Sequence, residues 1–91
     1  MAHDPLDTMI GVSDSTRRDS QAAAKFIAEA GKAEAIGDRP KAIADYRRAV
    51  SADPQSAEAL FRLAYQLDLV GEEDEALAFY ERCVAVVPPL V

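Results

Sequence analysis

The chain of 91 residues is 49% hydrophobic, 29% charged and 7% aromatic, with no Trp and a formal net charge of −6 at pH 7. That profile supplies one modest core. It leaves no run near the ~18 apolar residues of a membrane span, no secretory leader in the opening MAHDPLDTMIG, and no internal disulfide or cysteine-based metal site from the single Cys83, so the expectation is a cytoplasmic chain without membrane contact.

The charge is unevenly placed. Residues 1–52 carry eight acids and eight bases, whereas residues 53–91 carry eight acids against only Arg62 and Arg82. An acidic half disfavours wrapping nucleic acid, whose phosphates need a basic face. The basic residues Arg39, Lys41, Arg47 and Arg48 are the one cluster that could contact phosphate, and they read more simply as a solvated helix face.

In chain order, residues 1–19 are rich in Asp, Ser and Thr, and their apolar Leu6, Met9, Ile10 and Val12 are too few for a core, so they read as a flexible tail. From Ser20 to the end, residues 20–91 read as the folded domain. Apolar residues three and four apart, broken at Gly37-Asp38, Asp53-Pro54, Gly71 and Pro88-Pro89, predict four helices of about 13–17 residues. Pro40 suits the first turn of the second helix and Ser56 the cap of the third. The run Glu72, Glu73, Asp74, Glu75 suits the positive start of the fourth, as helix capping and solubility.

The second half of this pattern repeats the first. Gly37/Gly71, Ala42/Ala76, Ala44/Ala78, Tyr46/Tyr80, Arg48/Arg82, Val50/Val84 and Pro54/Pro88 are identical pairs 34 residues apart. A fixed period of this size marks a repeat whose units bury their apolar faces against each other. The small residues have a physical reason: where helices cross at about 8–10 Å, a methyl group fits and a long side chain does not. Cys83 aligns with Ala49 and should fill a small buried gap as a hydrophobe.

These residues resemble the tetratricopeptide repeat in two consecutive units, 23–56 and 57–90. The family's small positions fall on Ala30, Ala42 and Ala49, then on Ala64, Ala76 and Cys83, with Gly37 and Gly71 at the turns, Tyr46 and Tyr80 at the aromatic position and Pro54 and Pro88 at the ends. The implied fold is all-α, an α-solenoid of two helix–turn–helix units. The first unit departs from the pattern with Glu29 in place of a usual Leu and Ala33 in place of a larger residue, so its first helix is expected to shift or pack weakly.

The resemblance implies a protein-interaction scaffold, not an enzyme. Nothing in the sequence offers a catalytic constellation or cofactor site: His3 is the only His, and there is no phosphate loop and no metal-ligand spacing. The implied concave groove takes Ala24, Ile27, Gly31, Glu34 and Ala35 from the first copy and Glu58, Phe61, Arg62, Tyr65, Asp68 and Leu69 from the second. Ile27 and Gly31 stand where repeats that clamp a peptide carboxylate use Lys and Asn, so that activity is not expected. Phe61 and Tyr65 are candidate anchors, Arg62 a carboxylate contact, and Glu34 and Asp68 selectors for basic partners. Phe61 could instead pack on the neighbouring unit, leaving only Tyr65 accessible.

The last helix raises a separate expectation. It carries Leu77, Phe79, Tyr80, Val84, Val86 and Val87, part of which the loss of a neighbouring unit would expose, and about 300 Å² of apolar surface at about 25 cal/mol/Å² is worth roughly 7 kcal/mol. Two units fall below the three or so such arrays need. A symmetric partner joined through Leu77, Tyr80, Val84 and Val87, the tail residues Leu6, Met9 and Ile10, or the remainder of a longer protein of which this chain is a fragment should cover that face. Self-association as a homodimer, with no external peptide, is the alternative to the scaffold reading.

Overall fold

A computed structural model describes residues 18–87; expectations resting on His3, Leu6, Met9, Ile10 and Pro88-Pro89 lie outside them. Among the described residues the fold is all-α, with α1 (Ser20–Ala35), α2 (Arg39–Ala52), α3 (Ala57–Leu69) and α4 (Glu73–Val86). Each helix packs on the next in sequence, as two helical hairpins placed side by side.

Local chemistry sets the helix ends. The side chains of Asp19, Asp38 and Ser56 accept from the backbone N–H groups of Ala22, Lys41 and Ala59, and Pro40 occupies the first turn of α2. Glu72 makes no such bond, so the acidic run serves α4 through Glu73, Asp74 and Glu75 near the helix dipole and not through a side-chain cap. The C-terminal ends of α1 and α3 are built alike. Asp38 N–H donates to Ala33 C=O at 2.8 Å and Gly37 N–H to Glu34 C=O at 3.0 Å; one repeat later, Glu72 donates to Leu67 at 2.9 Å and Gly71 to Asp68 at 3.0 Å. This crossed pair of bonds needs a left-handed residue, and Gly37 and Gly71 supply it at φ +78° and +87°.

The core is small side chains around one leucine-bearing helix. Leu60, Leu63 and Leu67 of α3 are fully buried, walled by Ala42, Tyr46 and Ala49 of α2 and by Ala76 of α4. The expected looseness of α1 is absent. It runs unbroken for 16 residues and seats Ala23, Ala30 and Ala33 in the core with Phe26 and Ile27 half-buried, because Ala33 lets the backbones approach closely and Glu29 turns outward to Lys32. Cys83 is half-buried, its thiol 3.4 Å from the Ala57 carbonyl, a looser seat than that of its equivalent Ala49.

Two buried acids are paired with bases, Asp53 across the fold and Asp45 within α2. Asp53, in the α2–α3 turn, takes both arms of Arg18 at 2.8 and 3.2 Å and the Gln55 N–H at 3.1 Å, while Asp19 N–H donates to Ala52 C=O at 2.8 Å. Arg18 and Asp19, assigned by composition to the tail, are therefore joined to the fold. Asp45 accepts from Lys41 at 2.7 Å and Arg48 at 2.8 Å. The Lys41 hydrogen bond holds the Asp45 carboxyl below its ordinary range, and Arg18 does the same for Asp53.

Two outcomes are expected. Gly37→Ala and Gly71→Ala should each destabilise by about 1 kcal/mol from left-handed strain alone, since a Cβ at either position meets nothing within 4 Å; thermal unfolding followed by circular dichroism should show midpoints about 4–8 °C lower, with Asn costing less than Ala. Because the Asp45 and Asp53 carboxyls titrate lower folded than unfolded, their contribution is complete above the unfolded aspartate range and is lost as pH falls through the folded values. The acid limb of a urea-midpoint-against-pH curve should therefore be shallower for an Asp45→Asn, Asp53→Asn variant than for the parent; equal slopes would reject the assignment.

Candidate partner-binding groove

The seam between α1 and α3 is bridged at one end and open in two clefts. Near the helix starts, a cleft of about 310 Å³ is lined by Ala24, Ile27 and Ala28 of α1 and by Asp53, Ser56 and Glu58. Near the helix ends, a cleft of about 290 Å³ is lined by Glu34, Gly37, Arg39, Tyr65, Gln66 and Leu69. The structure thus places Ile27, Glu34, Glu58, Tyr65 and Leu69 along one seam, with Phe61 and Arg62 on the intervening turn of α3 and Asp68 exposed near its end.

A polar string forms the floor of the second cleft. Gln66, buried among the leucines, accepts from Arg39 at 2.9 Å and donates to Glu34, whose other oxygen takes the Tyr46 hydroxyl at 2.8 Å. Burial, then this bond to a carboxylate, pushes Tyr46 up to about 12. Glu34 is thus already engaged within the fold, and Arg62, expected as a carboxylate contact, is paired with Glu58 at 3.1 Å. Gln66 was not singled out from sequence; the available signal was a polar residue between Leu63 and Leu67 on a buried face.

The aromatic side chains divide differently. Phe61 and Tyr65 are 51% and 47% exposed and lie near-parallel, centroids 6.5 Å apart. Phe61 also meets Tyr80 of its own unit at 5.8 Å, so it is both packed and accessible. Tyr80 is half-buried there and backs the groove aromatic, while Leu77, Val84 and Val87 stand exposed on α4.

Elsewhere the basic cluster is matched by partners. Lys41 and Arg48 share Asp45, Arg47 forks onto Glu75 at 2.6 and 3.0 Å, and Arg39 holds Gln66. Among the described residues no group of His, Cys, Asp and Glu could hold a metal ion, and no helix is long and apolar enough to cross a membrane.

Paired helical hairpins repeating every 34 residues, joined by glycine turns and packed on alanines, define an all-α repeat fold. The family model of the tetratricopeptide repeat matches residues 45–78, one full period in a shifted frame that runs from mid-α2 through α3 into α4. That match supports a tetratricopeptide-repeat family, and the four helices fit two helix–turn–helix units; repeats of this family generally mediate protein–protein contacts. Comparison with curated proteins and with solved structures gives no match.

Gln66→Ala should destabilise by about 2 kcal/mol, since it leaves Arg39 and Glu34 without their buried partner, whereas Tyr65→Ala should cost less than half of that. Chemical denaturation of the two variants checks the ranking.

Proposed function

We propose that the chain is a non-enzymatic scaffold holding an extended peptide or an amphipathic helix of a partner protein along the α1–α3 seam. The observation that carries this reading is the stripe Phe61, Tyr65 and Leu69, large apolar side chains four residues apart on α3, each about half exposed, with Tyr65 and Leu69 lining the second cleft. Interfaces draw most of their energy from a few such anchors, and the polar floor beneath them limits the ordering cost of binding. Glu34, Glu58 and Asp68 exceed Arg39 and Arg62 along the seam, and with Glu58 paired to Arg62 and Glu34 engaged within the fold it is the exposed Asp68 that favours partners carrying Lys or Arg beside their apolar anchors. A reduced, cytoplasmic setting suits the lone thiol of Cys83.

Selection from a random displayed-peptide library against the chain tests the reading. Enriched peptides should combine aliphatic or aromatic residues with Lys or Arg, and a synthesised member should bind about tenfold more weakly to Phe61→Ala and Tyr65→Ala by titration calorimetry. Failure to enrich any sequence, or equal binding by both variants, would reject it.

A further inference from the structure

Phe26 of α1 stands one repeat before Leu60 of α3. Leu60 is fully buried, whereas Phe26 is half-buried between two open clefts. One, of about 450 Å³, is walled by Arg47, Arg48, Ser51 and Ala52 of α2; the other, of about 420 Å³, lies along α1 beside Ala22, Lys25 and Ala28. The difference has a cause in the fold. α2 packs on α3 from the preceding unit, and no described helix stands before α1.

One period back from α2 lie residues 5–18. Asp4 and Asp19 then coincide with Asp38 and Asp53, the residues that cap α2 at its two ends. The positions buried in α2, those of Ala42, Asp45, Tyr46, Ala49 and Val50, are held in the earlier stretch by Thr8, Gly11, Val12, Ser15 and Thr16, and Met9 replaces the half-buried Ile43. None of these six is charged. The acids Asp7 and Asp14 fall instead on Lys41 and Arg48, which are both exposed.

We propose that residues 5–18 are a degenerate copy of α2 and lie against α1 over Phe26, as α2 lies against α3 over Leu60. The fold delivers the chain to that place: Asp19 N–H donates to Ala52 C=O at 2.8 Å and Arg18 forks onto Asp53, so the stretch leaves from the rim of the first cleft. From Ala22 to Ala28, α1 is only about 9 Å long, within reach of a segment tethered at its foot. Tethering also sets a local concentration on the order of millimolar, which favours this segment over a second copy or a foreign peptide.

Charge selects the face. The stretch carries Asp4, Asp7 and Asp14 with no Lys or Arg before Arg17; α4 exposes Glu73, Asp74 and Glu81 against Arg82 alone, and the α1–α3 seam exposes Asp68. Both would repel it. Around Phe26, Glu29 is paired with Lys32, Arg47 with Glu75 and Arg48 with Asp45, which leaves the exposed Lys25 to set the sign. Lys25 and Glu29 stand where α3 has the buried Ala59 and Leu63, and the stretch answers with Thr8 and Ser15 in place of Ala42 and Ala49, hydroxyls suited to charged ends whose stems lie along apolar surface. Leu6 and Ile10 depart from the copy, falling on the exposed Pro40 and Ala44, and Gly11 within a helix costs about 1 kcal/mol. This layer therefore opens more readily than α2. It is independent of peptide binding in the α1–α3 seam.

The chain has no Trp, so Phe26→Trp in the full chain places a single fluorescent reporter in the contact, with the two clefts as room for the larger ring. Its emission should lie to the blue of a free indole and resist quenching by acrylamide. Adding Val12→Asp, at the Tyr46 position, should shift the emission to the red and admit the quencher, whereas Asp14→Ser, at the exposed Arg48 position, should leave both unchanged. The emission should also stay constant from about 1 µM to 1 mM, a range that brackets weak association between chains, because the contact lies within one chain. Should Phe26→Trp lose helicity, nuclear Overhauser effects between the Val12 methyl groups and the Phe26 ring of the parent give the same reading. A solvent-like indole in the full chain, an emission unmoved by Val12→Asp or moved equally by Asp14→Ser, shielding that grows with concentration, or absence of the Val12–Phe26 effects would each overturn it.

Discussion

Leu60, Leu63 and Leu67, the bulk of the core, all come from α3, and they are dry only because α2 lies on one side and α4 on the other. That arrangement depends on backbones approaching closely where Ala30, Ala33, Ala42, Ala49 and Ala76 sit, since a longer side chain at a crossing would hold the helices apart. One hairpin alone would leave one side of this leucine row in water. The two units consequently share a single core, as repeat architectures do when neighbours supply each other's missing surface.

Polar groups fix the register that the methyl groups permit. Apolar contacts between alanines and leucines tolerate a shift along the helix, but the string Arg39–Gln66–Glu34–Tyr46 and the Arg18–Asp53 pair do not, because a misaligned partner would leave a charge or amide unsatisfied in a low-dielectric interior. The string runs directly beneath the exposed Tyr65 and Leu69. Under the proposed reading, stability and recognition meet in one place: the floor that locks α1 to α3 also lies beneath the proposed anchors.

Helix boundaries, turns and the 34-residue period were legible because each rests on local chemistry. A glycine that must adopt positive φ, a capping Asp or Ser and a run of alanines at helical spacing act within a few residues of themselves, and repetition doubles every signal. The apolar face of α3 was legible for the same reason. What escaped were pairs between distant residues, such as Arg39 with Gln66 and Arg18 with Asp53, 27 and 35 residues apart. In the sequence each reads as an ordinary hydrated side chain; Arg18 even falls within a stretch whose composition resembles a tail.

Equivalent positions that diverge show where the division lies. Tyr46 and Tyr80 are the same residue at the same place in the repeat, as are Val50 and Val84, yet the first of each pair is buried and the second is half-buried or exposed. The sequence by itself determined the helices, their period and the faces they offer, because propensity, capping and periodicity act along the chain. Only the tertiary structure decided which of those faces are covered, which acids are engaged and which aromatic residues remain open, because burial and pairing depend on neighbours brought together across the fold.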